Sequence, residues 1–226
     1  MDNIEITGNQ RVSSEKIKND LSLYLETTLR ESNFILKFLG TDNLFIWVSA
    51  DWNEFLKNNA SLASLESRFN LLEKSVSFEI KESSPWAIWC AEDNCFWFDE
   101  FGKIIEVAPD TYGKLLLKVE DNSKRDLSIG DLILKNKIFA LNLVKILSLL
   151  KDSKLPINKI ILNRMELAEL SVFLENGPRI DFSLRFGFSL DKNEFISMIQ
   201  KINQPGGGGQ NLEYIDLRVE NRIYYK

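Results

Sequence analysis

The sequence predicts an α+β protein in two parts: a β-α-α-β-β unit, then a mostly antiparallel β unit with flanking helices. Three observations carry this. The first eighty residues switch between strand-like alternation and helix-like spacing. Ser83-Ser84-Pro85 punctuates the chain where that pattern stops. Beyond it, short apolar and aromatic runs recur at strand spacing, with two helical segments among them. The expected domains are residues 1–83 and 84–226.

Each element rests on a local pattern. Ile4-Glu5-Ile6-Thr7 alternates, and Gly8-Asn9 is a turn signal. Ser13 or Ser14 can cap a helix reaching about Lys37, whose apolar face is Ile17, Leu21, Leu25 and Leu29. Gly40 to Asn43 breaks the chain, and Leu44 to Val48 is a short apolar run. Ser49 then caps a short helix with Trp52, Phe55 and Leu56 inward. Leu65 to Glu73 reads as a strand. In Ser75 to Lys81, Val76, Phe78 and Ile80 share one face. The two helices are expected to cover one face of a three-stranded sheet.

In the second part, Trp86 to Cys90 and Cys95 to Asp99 form a hairpin around residues 91–94, and Lys103 to Val107 a further strand. Residues 108–130 read mostly as loop, with a short strand at Lys114 to Val119. Asp131 is the expected cap of a long helix through Leu150. Ile157 to Leu162 is a strand. Leu170 to Leu174 and Arg179 to Leu184 form a hairpin joined through Glu175-Asn176-Gly177, where Asn-Gly suits positive φ at both central residues. Asp191 and Glu194 open a last helix with Phe195, Met198, Ile199 and Ile202 inward. Gly206 to Gly209 is a flexible tract. Glu213 to Val219 alternates again, with Ile215, Leu217 and Val219 on one face. Ile223 and Tyr225 continue that strand or begin another.

Composition narrows the function classes. The 226 residues include 28 basic and 33 acidic side chains, well mixed, for a net charge of -5. No basic patch points to nucleic acid. The longest apolar run, around Ile138 to Leu150, is interrupted by Asn142 and Lys145, whereas a bilayer span needs about 20 apolar residues. The N-terminus lacks the basic and apolar regions of a signal peptide. The chain is therefore expected to be cytoplasmic, or to follow a membrane anchor that it does not include. It has no histidine, which removes the commonest general base and metal ligand. No catalytic residue, cofactor, metal or small-molecule substrate is expected.

Four constellations carry a functional and a plain reading. Cys90 and Cys95 bracket a turn and come within disulfide reach if they face each other across a hairpin; two buried thiols are the alternative. Trp86, Trp89 and Trp97, with Phe96, Phe98 and Phe101, make a glycan-binding platform or a sheet core, and core is the commoner use of such residues. Asp93, Asp99 and Glu100 supply a carboxylate pair of the glycosidase kind or solvated turn formers, and turns are the commoner use. Gly206 to Gly209 lacks the Lys-Ser/Thr of a phosphate loop. The C-terminal strand, with Tyr214, Asp216, Arg218 and Glu220 outward, is either an edge that a partner strand extends or an internal, protected strand.

Three stretches together resemble the FtsQ/DivIB family of bacterial cell-division proteins, over nearly the whole chain. Ile4 to Val12 followed by Ser13 is similar to the "GN-x-x-V-S" opening of that family's POTRA domain. Val76 to Glu82, then Pro85 and Ala87, resembles its "E-R-x-P-x-A" junction, with Ser83 in place of arginine and one extra serine; Phe98 to Lys103 resembles its "D-x-x-G-x-v" hairpin. Leu174-Glu175-Asn176-Gly177, then a helix, then Tyr214-Ile215-Asp216-Leu217-Arg218 is similar to "L-x-N-G … Y-I-D-L-R-Y". Val219-Glu220-Asn221-Arg222 departs from the Tyr and Gly-containing turn usual there, and the first helix is longer than a compact POTRA domain has.

The resemblance implies a POTRA domain followed by the family's β domain, on the outer face of the cell (inner) membrane at the division site, behind a single N-terminal membrane helix. It implies a non-enzymatic scaffold of the divisome that binds FtsB and FtsL and helps control septal peptidoglycan synthesis. The FtsB strand would add to the C-terminal edge, here Tyr214, Ile215, Asp216, Leu217, Arg218, Val219, Glu220, Arg222 and Tyr224. Two alternatives are another POTRA-bearing envelope protein, of outer-membrane assembly or secretion, and a cell-wall glycan-binding domain.

Overall fold

The computed structural model describes residues 3–31, 40–92, 94–109, 116–123, 125–186, 192–203, 212–220 and 222–226. Asp93, Asp191 and the Gly206 to Gly209 tract lie outside the described residues, as does the expected end of the first helix beyond residue 31. The fold is α+β, in two compact units, Met1–Ser84 and Pro85–Lys226.

The first unit runs β1 (Ile4–Thr7), α1 (Ser14–Glu31), α2 (Leu44–Ser49), α3 (Trp52–Asn58), β2 (Leu62–Asn70) and β3 (Ser75–Glu82). Its sheet has the order β1-β3-β2, with β1 parallel and β2 antiparallel to β3. Ser13 caps α1, its hydroxyl accepting from the Lys16 N–H at 3.2 Å. Ile17, Leu21 and Leu25, one turn apart, bury against Val76 and Phe78 of β3 with Trp47 and Phe55. Gly8 turns the chain at φ +84°, where a Cβ would lie 2.3 Å from the Ile80 carbonyl oxygen.

Two expectations shift here. Residues 44–49 are a further helix, capped by Asn43, whose side chain accepts from the Phe45 N–H. Ser49 ends that helix and donates to the Ile46 carbonyl, so α3 is capped by Asp51, which accepts from the N–H groups of Asn53 and Glu54. The strand expected at Leu65 to Glu73 ends earlier, because Asn70 Oδ1 accepts from the N–H groups of Leu72 and Glu73 and turns the chain.

The second unit contains β4 (Ala87–Ala91), β5 (Asn94–Phe98), β6 (Ile104–Val107), β7 (Lys118–Asp121), α4 (Lys137–Ser153), β8 (Ile157–Leu162), β9 (Glu169–Leu174), β10 (Arg179–Ser183), α5 (Lys192–Asn203), β11 (Tyr214–Leu217) and β12 (Tyr224–Tyr225). They form one nine-stranded sheet in the order β12-β11-β10-β9-β8-β7-β4-β5-β6. The sheet is mixed. The pairs β7–β8 and β10–β11 are parallel because the chain crosses over through α4 and through α5 and returns in the same direction; β4–β7 is parallel as well, with β5 and β6 between them in the chain.

The core is built on the inward residues of α4, including Leu143, Ile146, Leu147 and Leu150, with Trp89, Val119, Val172, Ile180 and Ile215 from the sheet. Phe195 and Ile199 of α5 join it; the side chain of Ile202 lies outside the described residues.

Two further expectations are corrected. The cap of α4 is Asn136, which accepts from the N–H groups of Ile138 and Phe139, whereas Asp131 accepts from the Ser128 N–H inside the preceding loop. The β9–β10 connection has four residues, 175–178, and neither Asn176 nor Gly177 has positive φ. A loop of that length reverses without a primed turn. Gly177 is small for a different reason: a Cβ there would lie 3.2 Å from the Leu174 side chain.

Candidate functional site: the C-terminal sheet edge

β11 lies between two neighbours. On one side it runs parallel to β10, with Arg179 opposite Tyr214, Ile180 opposite Ile215 and Asp181 opposite Asp216. On the other side it meets β12, Ile215 opposite Tyr225 and Asp216 opposite Tyr224. Ile215 is fully buried and anchors the strand in the core, and Leu217 packs partly against it.

The outermost strand is β12, and its backbone orientation follows from its bonds. Lys226 donates to the Tyr214 carbonyl at 3.2 Å, and its own carbonyl accepts from Glu213 at 2.6 Å. Antiparallel strands alternate between facing and averted residues. The backbone groups of Tyr224 and Lys226 therefore face β11, and those of Tyr225 face away. The Tyr225 side chain is 71% exposed. The sheet thus ends on a strand whose Tyr225 N–H and C=O have no partner among the described residues.

The opposite edge is closed at one end. Ile104 of β6 donates to the Asp131 carbonyl and accepts from the Gly130 N–H, both at 2.8 Å, and Lys103 bridges Leu132. The loop before α4 thereby covers the start of β6, a standard way to protect an edge.

A polar layer fixes β11 against β9 and β10. Arg218 donates to Asp216 at 2.9 and 2.7 Å and to Glu169 of β9 at 2.9 Å. Its hydrogen bonds to Asp216 hold the guanidinium above its usual pKa and hold the Asp216 carboxyl below the usual carboxylate range, against the opposing effect of burial. Beside this, Asp181 accepts from Arg179 at 3.0 Å and from the Ser171 hydroxyl at 2.7 Å. The Arg179 guanidinium lies over the Tyr214 ring, 5.8 Å from its centroid.

The residues expected at the edge therefore divide. Tyr214, Ile215, Asp216 and Leu217 stand one strand in, because the chain reverses through Val219–Arg222, where the Arg222 N–H meets the Val219 carbonyl at 3.2 Å. Asp216 and Arg218 are bound to each other. Val219, Glu220, Arg222 and Tyr224 are exposed, and Arg222 donates to the Tyr224 hydroxyl at 3.3 Å. Tyr225 joins them, carrying the averted backbone; the alternation of Ile223 and Tyr225 is its only sequence signal. Glu169 and Ser171 have no local signal, since their partners Arg218 and Asp181 come from other stretches of the chain, whereas Arg179 and Asp181 pair two residues apart on β10, a spacing that many solvated strand faces share.

The remaining constellations resolve separately. Cys90 and Cys95 face each other in register across β4–β5 and are disulfide-bonded, their Cα atoms 4.0 Å apart. The tryptophans do not share a platform: Trp89 is buried in the main core and Trp86 packs on it, while Trp97 belongs to a separate cluster with Ile88 and Cys90. Asp99 is buried and accepts from the N–H groups of Phe101 and Lys103, both at 2.9 Å, so its carboxylate is spent on the β5–β6 turn. A buried carboxylate without a sequence signal, Asp121, takes the Trp89 indole N–H at 3.2 Å and an ion pair from Arg125. Among the described residues, no group of three or more Cys, Asp or Glu side chains is placed to hold a metal, and no helix is long and apolar enough to cross a membrane. No protein-family model and no curated protein matches the chain.

Proposed function

We propose that the chain is the extracytoplasmic part of a divisome scaffold of the FtsQ/DivIB type, with a POTRA-like first unit and a partner-binding second unit, and that it catalyses nothing. In this reading it is held at the cell (inner) membrane by an N-terminal helix outside the chain. There it binds FtsB/FtsL-type proteins and helps regulate septum formation. One observation carries the proposal: the last strand of the chain is also the outermost strand of its large sheet, and it is short, tyrosine-rich and open at Tyr225. An extended partner segment can add there, taking affinity from main-chain hydrogen bonds and specificity from the side chains that flank them, Val219, Glu220, Arg222 and Tyr224. The Cys90–Cys95 disulfide supports an oxidising compartment.

Calorimetric titration of a soluble FtsB/FtsL pair into the chain tests this. The intact chain should bind, and deletion of residues 223–226, which removes β12, should abolish binding while the remainder stays folded. Undiminished binding by the deleted chain would place the partner elsewhere.

A further inference from the structure

We infer that the first unit pairs with a second copy of this chain, edge to edge through β2. Among the described residues, β2 has a strand on one side only. The central strand fixes which of its groups are free. Val76 donates to the Asn3 carbonyl at 3.0 Å, so the even residues of β3 face β1; Ser83 donates to the Ser61 carbonyl at 2.9 Å, so its odd residues face β2. Register places Ser77 opposite Arg68 and Glu79 opposite Glu66. Arg68 and Glu66 therefore spend their backbone groups on β3, and Leu65, Ser67 and Phe69 point theirs outward.

The sequence of that edge is complementary to itself. Leu65-Glu66-Ser67-Arg68-Phe69 reads apolar, acidic, polar, basic, apolar. In an antiparallel pairing about a two-fold axis at Ser67, each outward residue exchanges N–H···O=C bonds with an outward residue of the copy. Leu65 then lies opposite the copy's Phe69 on the half-buried face, and Glu66 opposite the copy's Arg68 on the exposed face. A two-fold axis repeats every such contact. The pairing also answers a local mismatch. Within one copy Glu66 faces Glu79, a like-charge pair, and among the described residues Arg68 pairs with Glu79, at 3.3 Å and largely in solvent. A protective edge uses charge to repel a second strand; this one presents opposite charges where a copy of itself would place their partners.

The contact is small and belongs to the weak, transient class, so a Kd of about 0.1–1 mM is expected. Sedimentation equilibrium of the whole chain at low salt measures it. The wild-type chain should form dimers over that range. Glu66→Arg and Arg68→Glu should each weaken the dimer about tenfold, because symmetry sets each like-charge pair twice. The double exchange should restore it to within a few-fold of wild type. Ser67→Pro, which removes an outward N–H, should abolish it, with the far-ultraviolet dichroism unchanged. A wild-type chain that stays monomeric throughout, or a dimer indifferent to both single exchanges, would overturn the inference, and so would an edge that accepts only an extended peptide of another protein.

Discussion

Glu82 ends β3, and its carboxylate accepts from the backbone N–H groups of Gln10, Arg11 and Val12, at 2.7 to 3.0 Å. Burial alone would raise its pKa; the three backbone donors and the Arg11 charge outweigh this and hold it below the usual value. The sign of the linkage follows. A carboxyl whose pKa is lower in the folded state stabilises the fold above its unfolded value, near 4.5, and that contribution is lost as pH falls through the lower folded value. Glu82→Gln should therefore cost about 1 kcal/mol in urea unfolding at pH 7, below the usual range for hydrogen bonds to a charged group because the carboxylate is partly in solvent. The difference from wild type should narrow as pH falls below the unfolded value and vanish once it passes the lowered folded value. A gap of the same size at pH 7 and below that folded value would show that the charge is not what matters. Sequence made Gly8 and Asn9 legible as a turn, and Glu82 as part of a motif. It did not show that the two belong together, because their separation of about seventy residues leaves no local pattern.

At the level of elements, periodicity was legible wherever one face is buried. Ile17, Leu21 and Leu25 mark α1; Val76, Phe78 and Ile80 mark β3; Ile157–Leu162 is the strand its composition suggests. Helix starts were legible at α1, where Ser13 caps as expected, but not at α3 and α4, because several side chains near those starts can cap and only the backbone path selects one. Asp131 and Asn136 are such a pair, and Asn136 holds the first turn of α4. Asn136→Ala should lower stability by about 1 kcal/mol, read as a fall in Tm, while Asp131→Ala should cost less. Equal costs would mean that the loop bond of Asp131 matters as much as the cap. The parallel pairings were also hidden, since strand direction depends on crossovers that a strand's own residues do not encode. The reversal at Val219–Arg222 moved the edge from β11 to β12 for a related reason: two residues suffice to close one side of a strand, and a two-residue strand has almost no pattern.

For the whole molecule, each unit has its own hydrophobic core and its own open strand. The second unit ends its sheet on β12 and covers the start of its opposite edge with the loop before α4. Partner binding in the proposed function comes down to the averted backbone of a single residue. Tyr225→Pro removes that outward N–H, while the bonds of Tyr224 and Lys226 to β11 remain. Titrating a soluble FtsB/FtsL pair into the Tyr225→Pro chain, beside the wild type, is the most direct test. Strand addition at β12 predicts affinity at least about tenfold weaker with the fold intact; equal affinity for the two chains would contradict it.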